Sequence, residues 1–184
     1  MASRGRARAV MAFAAGLALV LPAAASASED PGLVIELDRG RYTGSVRDER
    51  SGERGPDFSI ALGSPARPTP DGRFPVAWVI LQPSWHPSPG AFAAGARPEP
   101  ASLTTPMGVA KIPFTAGGSI ALHGAGDERL LGQPVSGGCV RAGDGDLLRV
   151  LAWLDLQGAL GEPRVRADGE IHRPLQRPTR VIVH

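Results

Sequence analysis

Glycine and proline break this 184-residue chain so often that it is built for short strands and turns. From residue 28 onward they fill 39 of 157 positions, 22 Gly and 17 Pro, a density at which disorder has to be weighed. The apolar residues between the breakers argue for order. Leu33, Ile35 and Leu37 alternate with Val34, Glu36 and Asp38, the period of a half-buried strand. Asp38-Arg39-Gly40 signals a turn, and residues 41–46 can return as the second arm of a hairpin. Residues 47–56 are charged and Gly-rich and read as a solvated loop. Phe58, Ile60 and Leu62 alternate again, residues 74–81 and 119–123 read as strands, and residues 179–184 have the β-branched character of a last strand. Five prolines within residues 82–100 exclude a helix or a central strand and leave a long loop. Residues 144–157 form the single convincing helix. Asp144 is placed to cap it, and Leu147, Val150, Leu151 and Leu154 fall on one face. Residues 158–178 are polar and carry no clear pattern. The expectation is a mostly β domain with one main helix.

The chain opens with Arg4, Arg6 and Arg8, an apolar run over residues 11–21, and then small residues including Ala25-Ser26-Ala27. That order reads as a secretory signal peptide, residues 1–27, cleaved after Ala27. The run is short for a membrane span. What remains, residues 28–184, reads as one domain. Net charge is +2 with the leader, which holds three Arg and no acid, and −1 without it. The basicity therefore belongs largely to the leader, and nucleic acid is not the expected partner. The single lysine, Lys111, among 19 Arg reads as coding bias. One Cys excludes an internal disulfide.

The chemistry concentrates in residues 120–141, IALHGAGDERLLGQPVSGGCVR. His123 ends a short strand, a Gly-rich loop follows, and Cys139 comes after Gly137 and Gly138. A thiol nucleophile needs a base, and imidazole is its usual partner. The glycines leave room for a substrate backbone and expose amides that could hold an oxyanion. A helix beginning soon after would favour a thiolate. Taken singly these are also features of inert proteins: a buried small Cys, a hydrogen-bonded strand-end His, an ordinary turn. Together they point to a nucleophile and its base. A metal site of Cys139, His123 and Asp127 is the weaker reading, because Asp127 lies in a loop. No dinucleotide, P-loop or Gly-x-Ser-x-Gly signature is present.

The same stretch resembles the signature of the YkuD-type L,D-transpeptidases. His123 of His123-Gly124 is followed, after twelve residues (124–135), by Ser136-Gly137-Gly138-Cys139-Val140-Arg141, similar to the family's Ser-x-Gly-Cys-hydrophobic-Arg. Upstream, Thr69-Pro70-Asp71-Gly72-Arg73-Phe74, Pro83-Ser84-Trp85 and Pro106-Met107-Gly108 resemble further family segments. Two positions depart from the pattern. Gly137 stands where relatives often have a second His, and Ala125 where they often have Thr. Residues 158–178 have no counterpart in it.

The resemblance implies a YkuD-like β-sandwich or barrel with one helix after the Cys loop. It implies an exported cysteine enzyme, in the periplasm or cell wall, that acts on peptidoglycan stem peptides without a metal or cofactor. Cys139 would attack the carbonyl between an L-centre and a terminal D-Ala, with His123 moving the proton and the Gly124 carbonyl orienting the ring. Amides of Gly138 and Cys139 would hold the oxyanion. Ser136 would support the site, and Arg141 and Trp85 would contact substrate. An amine acceptor gives a cross-link. Water instead gives a carboxypeptidase or amidase, and an inert site would leave a wall-binding module. A monomer without membrane attachment after cleavage is expected. His172 and His184 read as bystanders, and His86 as solvated.

Overall fold

The computed structural model describes residues 31–87 and 95–184. The expected leader lies outside them. The chain is mostly β, as its composition and alternation imply. Its strands are β1 (Leu33–Asp38), β2 (Thr43–Asp48), β3 (Arg54–Gly63), β4 (Gly72–Pro75), β5 (Trp78–Leu81) and β6 (Ala110–Pro113), then β7 (Ala121–Gly124), β8 (Pro134–Ser136) and β9 (Val140–Ala142). The helix α1 (Asp144–Leu156) follows, and β10 (Arg164–Val165), β11 (Ile171–Pro174) and β12 (Thr179–Val183) complete the chain. They pair in the order β10-β11-β5-β6-β7-β9-β3-β2-β1-β12-β4, with β8 added to β3. The ten-residue β3 lets the sheet curl. Its first part pairs with β2, and its later residues Ile60 and Ala61 pair with Ala142 and Arg141 of β9.

Alternation assigns the faces near the helix. Ile112, Leu122 and Val140 are register partners across β6, β7 and β9, and all three are fully buried. They point into the core that also takes Leu147, Val150, Leu151 and Leu154 of α1. The next residues along, Lys111, His123 and Arg141, are likewise register partners. With a side-chain period of two, they project from the opposite face. One strand step thus separates the hydrophobic core from the chemistry.

Four expectations are corrected. Residues 47–56 are not a solvated loop: they close the β2–β3 hairpin, and Asp48 within them is buried. Residues 74–81 form two strands, since β4 pairs with β12 while β5 pairs with β6 and β11. The break falls at Val76 and Ala77. Asp144 does not cap α1. Gly143 occupies the cap without a side-chain bond, and Asp144 Oδ1 instead accepts the Val109 N–H at 3.2 Å. Residues 158–178 supply the β10–β11 hairpin, which extends the sheet from β5.

An ion pair with a buried carboxylate ties the β2–β3 hairpin to the segment before β12. Arg177 Nη2 donates to Asp48 Oδ2 at 2.8 Å, and Asp48 also accepts the Arg50 N–H at 2.9 Å. Burial pushes the Asp48 carboxyl up, but the bonds from Arg177 and Arg50 outweigh it and hold it below its ordinary 3.8. Removing one partner leaves a buried charge alone, so Arg177→Ala is expected to lose about 3 kcal/mol, or roughly 10 °C in Tm. A carboxyl depressed in the folded state stabilises it above the ordinary value, and this stabilisation is lost as pH falls through the folded value. Thermal melts of wild type and Arg177→Ala should therefore converge in acid. A constant gap down to pH 2 would contradict the assignment.

Candidate active site

Cys139 immediately precedes β9, and His123 lies on the parallel neighbour β7, level with Arg141. Continuing the register places Cys139 two positions from His123 on the same face. That is a Cα separation of roughly 8 Å, from a strand rise of ~3.3 Å and a strand spacing of ~4.8 Å. The pairing brings together two residues sixteen apart in sequence.

His123 is 2% exposed. Its Nδ1 lies 2.7 Å from the Gly124 carbonyl oxygen. A carbonyl only accepts, so Nδ1 carries the proton and donates, and Nε2 of the neutral ring keeps its lone pair. Burial pushes the imidazole down to about 4; the Gly124 bond opposes this, and the charges of Arg141 and Lys111 add to it. The ring is neutral near pH 7.

Gly124 is held in turn. Its N–H donates to the Met107 carbonyl at 2.9 Å, and its Cα lies beside Gly108 and Asp144. A Cβ at Gly124 would sit 1.9 Å from Asp144 Oδ1. Only glycine fits, and the carbonyl that orients His123 depends on it.

The Cys loop is braced from three sides. Ser136 Oγ donates to the Cys139 carbonyl at 2.5 Å and accepts the Gly138 N–H at 3.1 Å. Thr69 Oγ1 donates to the Gly138 carbonyl at 2.9 Å and accepts the Gly63 N–H, also at 2.9 Å. Ser64 N–H donates to the Ser136 carbonyl at 2.9 Å. Gly138 has φ +121°, in the region that favours glycine, and a Cβ there would press on Ile120 at 2.8 Å. Cys139 is partly exposed, and its Sγ lies 3.8 Å from the Ser119 carbonyl.

The expected residues thus divide. His123 and Gly124 lie on β7, Arg141 is level with His123 on β9, Ser136 ends β8, and Gly138 and Cys139 lie in the turn between β8 and β9. Gly137 lies exposed at that loop. Trp85 is half-buried in the Pro-rich loop, where its backbone bridges Glu99 through two 2.9 Å bonds, and it shares none of the contacts above. Asp127 is turned outward onto Arg129 at 2.9 Å. Arg141 lies level with His123, and its Nε is buried without a hydrogen-bond partner among the described residues. Thr69 and Lys111 were not expected here. The hydroxyl of the Thr69-Pro70 turn was the available signal for the first. For the second it was a lone lysine between apolar residues.

The family model described as "L,D-transpeptidase catalytic domain" (YkuD) matches residues 31–183. No curated protein matches the chain. Among solved structures, L,D-transpeptidase 3 from Mycobacterium tuberculosis is similar over 84% of this chain and 61% of its own, at 17% identity and TM-score 0.55. The same enzyme in complex with a faropenem-derived adduct is similar over 84% and 60%, at 17% identity and TM-score 0.55. An L,D-transpeptidase from Mycobacterium smegmatis is similar over 83% and 58%, at 18% identity and TM-score 0.50. At these identities the likeness is one of fold. This chain spans about three fifths of the length of those structures.

Proposed function

The chain belongs to the L,D-transpeptidase catalytic domain family, and from that premise we propose that it is an exported cysteine acyltransferase acting on peptidoglycan stem peptides. The observation that carries this reading is the His123 tautomer. Its Nδ1–H is committed to Gly124, which leaves Nε2 as an acceptor on the strand beside the only Cys. Residues 1–27 are the signal peptide and residues 28–184 the catalytic domain, working as a monomer in the periplasm or cell wall. Among the described residues no helix is long and apolar enough to cross a membrane.

In the first half-reaction Cys139 Sγ swings from Ser119 toward His123 and attacks the carbonyl between the L-centre and D-Ala. The S–C bond forms as the thiol proton passes to His123 Nε2. The tetrahedral oxyanion is met by the Cys139 N–H. The Gly138 N–H is already held by Ser136 and joins only by leaving it. One such donor is worth ~3 kcal/mol of barrier. The C–N bond then breaks, and His123 returns the proton to the departing D-Ala amine. Arg141 takes a substrate carboxylate or braces the loop, and Trp85 borders the substrate from the Pro-rich loop. An amine of a second stem resolves the thioester by the same proton relay.

Incubation with purified tetrapeptide muropeptides tests this. Cross-linked dimers and free D-Ala are expected. Tripeptides alone would assign the chain to hydrolysis, and no product under any condition would support a wall-binding role.

A further inference from the structure

We propose that the groove beside β5 and β6, with Lys111 at its inner side, is a specificity subsite for a free carboxylate carried next to a small apolar group of the stem peptide. This rests on the reading above and names the part of the substrate that the site selects.

Lys111 is the only lysine in the chain. It stands level with His123 on β6, as Arg141 does on β9. Among the described residues neither cation has a carboxylate partner, whereas Arg47, Arg129, Arg173 and Arg177 are each paired with one. Two unpaired cations flank a buried neutral imidazole, an arrangement that suits an anion brought by a ligand.

The groove extends from Lys111 away from His123. Its volume is about 400 Å³, and Pro75, Trp78, Ile80, Pro113 and His172 supply its side-chain walls, with Gly117 and Gly118 closing one end. Ser119, next to that end, is the residue whose carbonyl faces Cys139 Sγ. The groove thus begins one residue from the carbonyl that faces Cys139 Sγ, on the sheet face that carries His123. Trp78 is 46% exposed and lies against the His172 ring, with centroids 6.5 Å apart and planes at 29°. His172 is fixed by Glu170 at 2.8 Å, and Glu170 also accepts from the Ser84 N–H and hydroxyl. The segment without sequence pattern thus builds a rigid ring platform at the groove's outer wall. Apolar walls with one ammonium fit a methyl- or methylene-bearing residue that ends in a carboxylate. The terminal D-Ala and the diamino acid of a stem peptide each offer such a group.

Three tetrapeptide donors separate the sources: both carboxylates free, the terminal one as carboxamide, and the diamino acid's as carboxamide. Lys111→Met is expected to raise KM for the free peptide about 10-fold, with kcat changed far less. It should leave KM unchanged for whichever amide already lacks the recognised carboxylate, and Lys111→Arg should recover most of the loss. An equal effect on all three peptides, or none, overturns the proposal. Calorimetric binding of the same peptides to Cys139→Ala, with and without Lys111→Met, reads the subsite without turnover. Failure of the acyltransfer reading appears separately, as wild type that neither turns over nor acylates Cys139.

Discussion

Incubated with a carbapenem, the protein is expected to gain one drug-derived acyl group on Cys139, and Cys139→Ala none. The chemistry is that of the first half-reaction. The S–C bond forms at the β-lactam carbonyl, the ring C–N bond breaks, and the thiol proton reaches the released nitrogen through His123. Because the chain has one Cys, intact mass is unambiguous about the thiol. Cys139→Ala is also expected to lose at least about 10⁴-fold in transfer rate, since removing a nucleophile removes the covalent route entirely. Its fold should survive. The bonds that hold the loop run through the Cys139 and Gly138 carbonyls and the Ser136 and Thr69 hydroxyls, none of which is the thiol. An adduct on the Cys139→Ala protein, or equal transfer by both proteins, would remove Cys139 from the mechanism.

How much of this was readable in advance depended on the range of the forces involved. β1, β3 and α1 announce themselves because local alternation or a three-to-four spacing marks a face, β2 follows from the turn signal before it, and β12 from its β-branched run. Leu33, Ile35 and Leu37 are all fully buried, but so is Val34, which alternation alone would place on the outer face. β6, β9, β10 and β11 have two to four residues each, too few for a period to show, and their register comes from neighbours distant in sequence. Asp144 illustrates a competition that sequence does not display. An acidic residue at a helix start can cap the helix, but here the N–H of Val109, in the turn before β6, takes its oxygen.

The site divides in the same way. His123 and Cys139 are legible because their chemistry is rare and their spacing is matched by a resemblance. Thr69 looks like part of a turn until folding places its hydroxyl under Gly138. Lys111 looks like compositional accident until β6 pairs with β7. His172, read as a bystander, becomes part of a wall only when β11 joins β5. Residues proposed to act directly on bonds carry their own label, whereas those proposed to position or select depend on tertiary pairing.

The acid limb of kcat/KM is expected near pH 4, well below where an ordinary histidine would put it. Burial is the main cause, with Arg141 and Lys111 adding to it. An imidazole this weak as a base is expected to take the proton only as the S–C bond forms. A substrate carboxylate beside Lys111 and Arg141 would cancel the two charges that oppose imidazolium. The limb in kcat, which reports the bound enzyme, should then lie above the limb in kcat/KM, which reports the free enzyme. Stability carries the same signature with a definite sign. The unfolded ring takes its proton near 6.5 and the folded ring only near 4, so folding is opposed increasingly as pH falls between those values. The full effect is on the order of 3 kcal/mol. His123→Gln should flatten that part of the stability profile while lowering transfer roughly 10²–10⁴-fold. A kcat/KM limb at 6.5 in wild type, or an unchanged stability slope in His123→Gln, would show that the ring titrates freely and is not the buried neutral base.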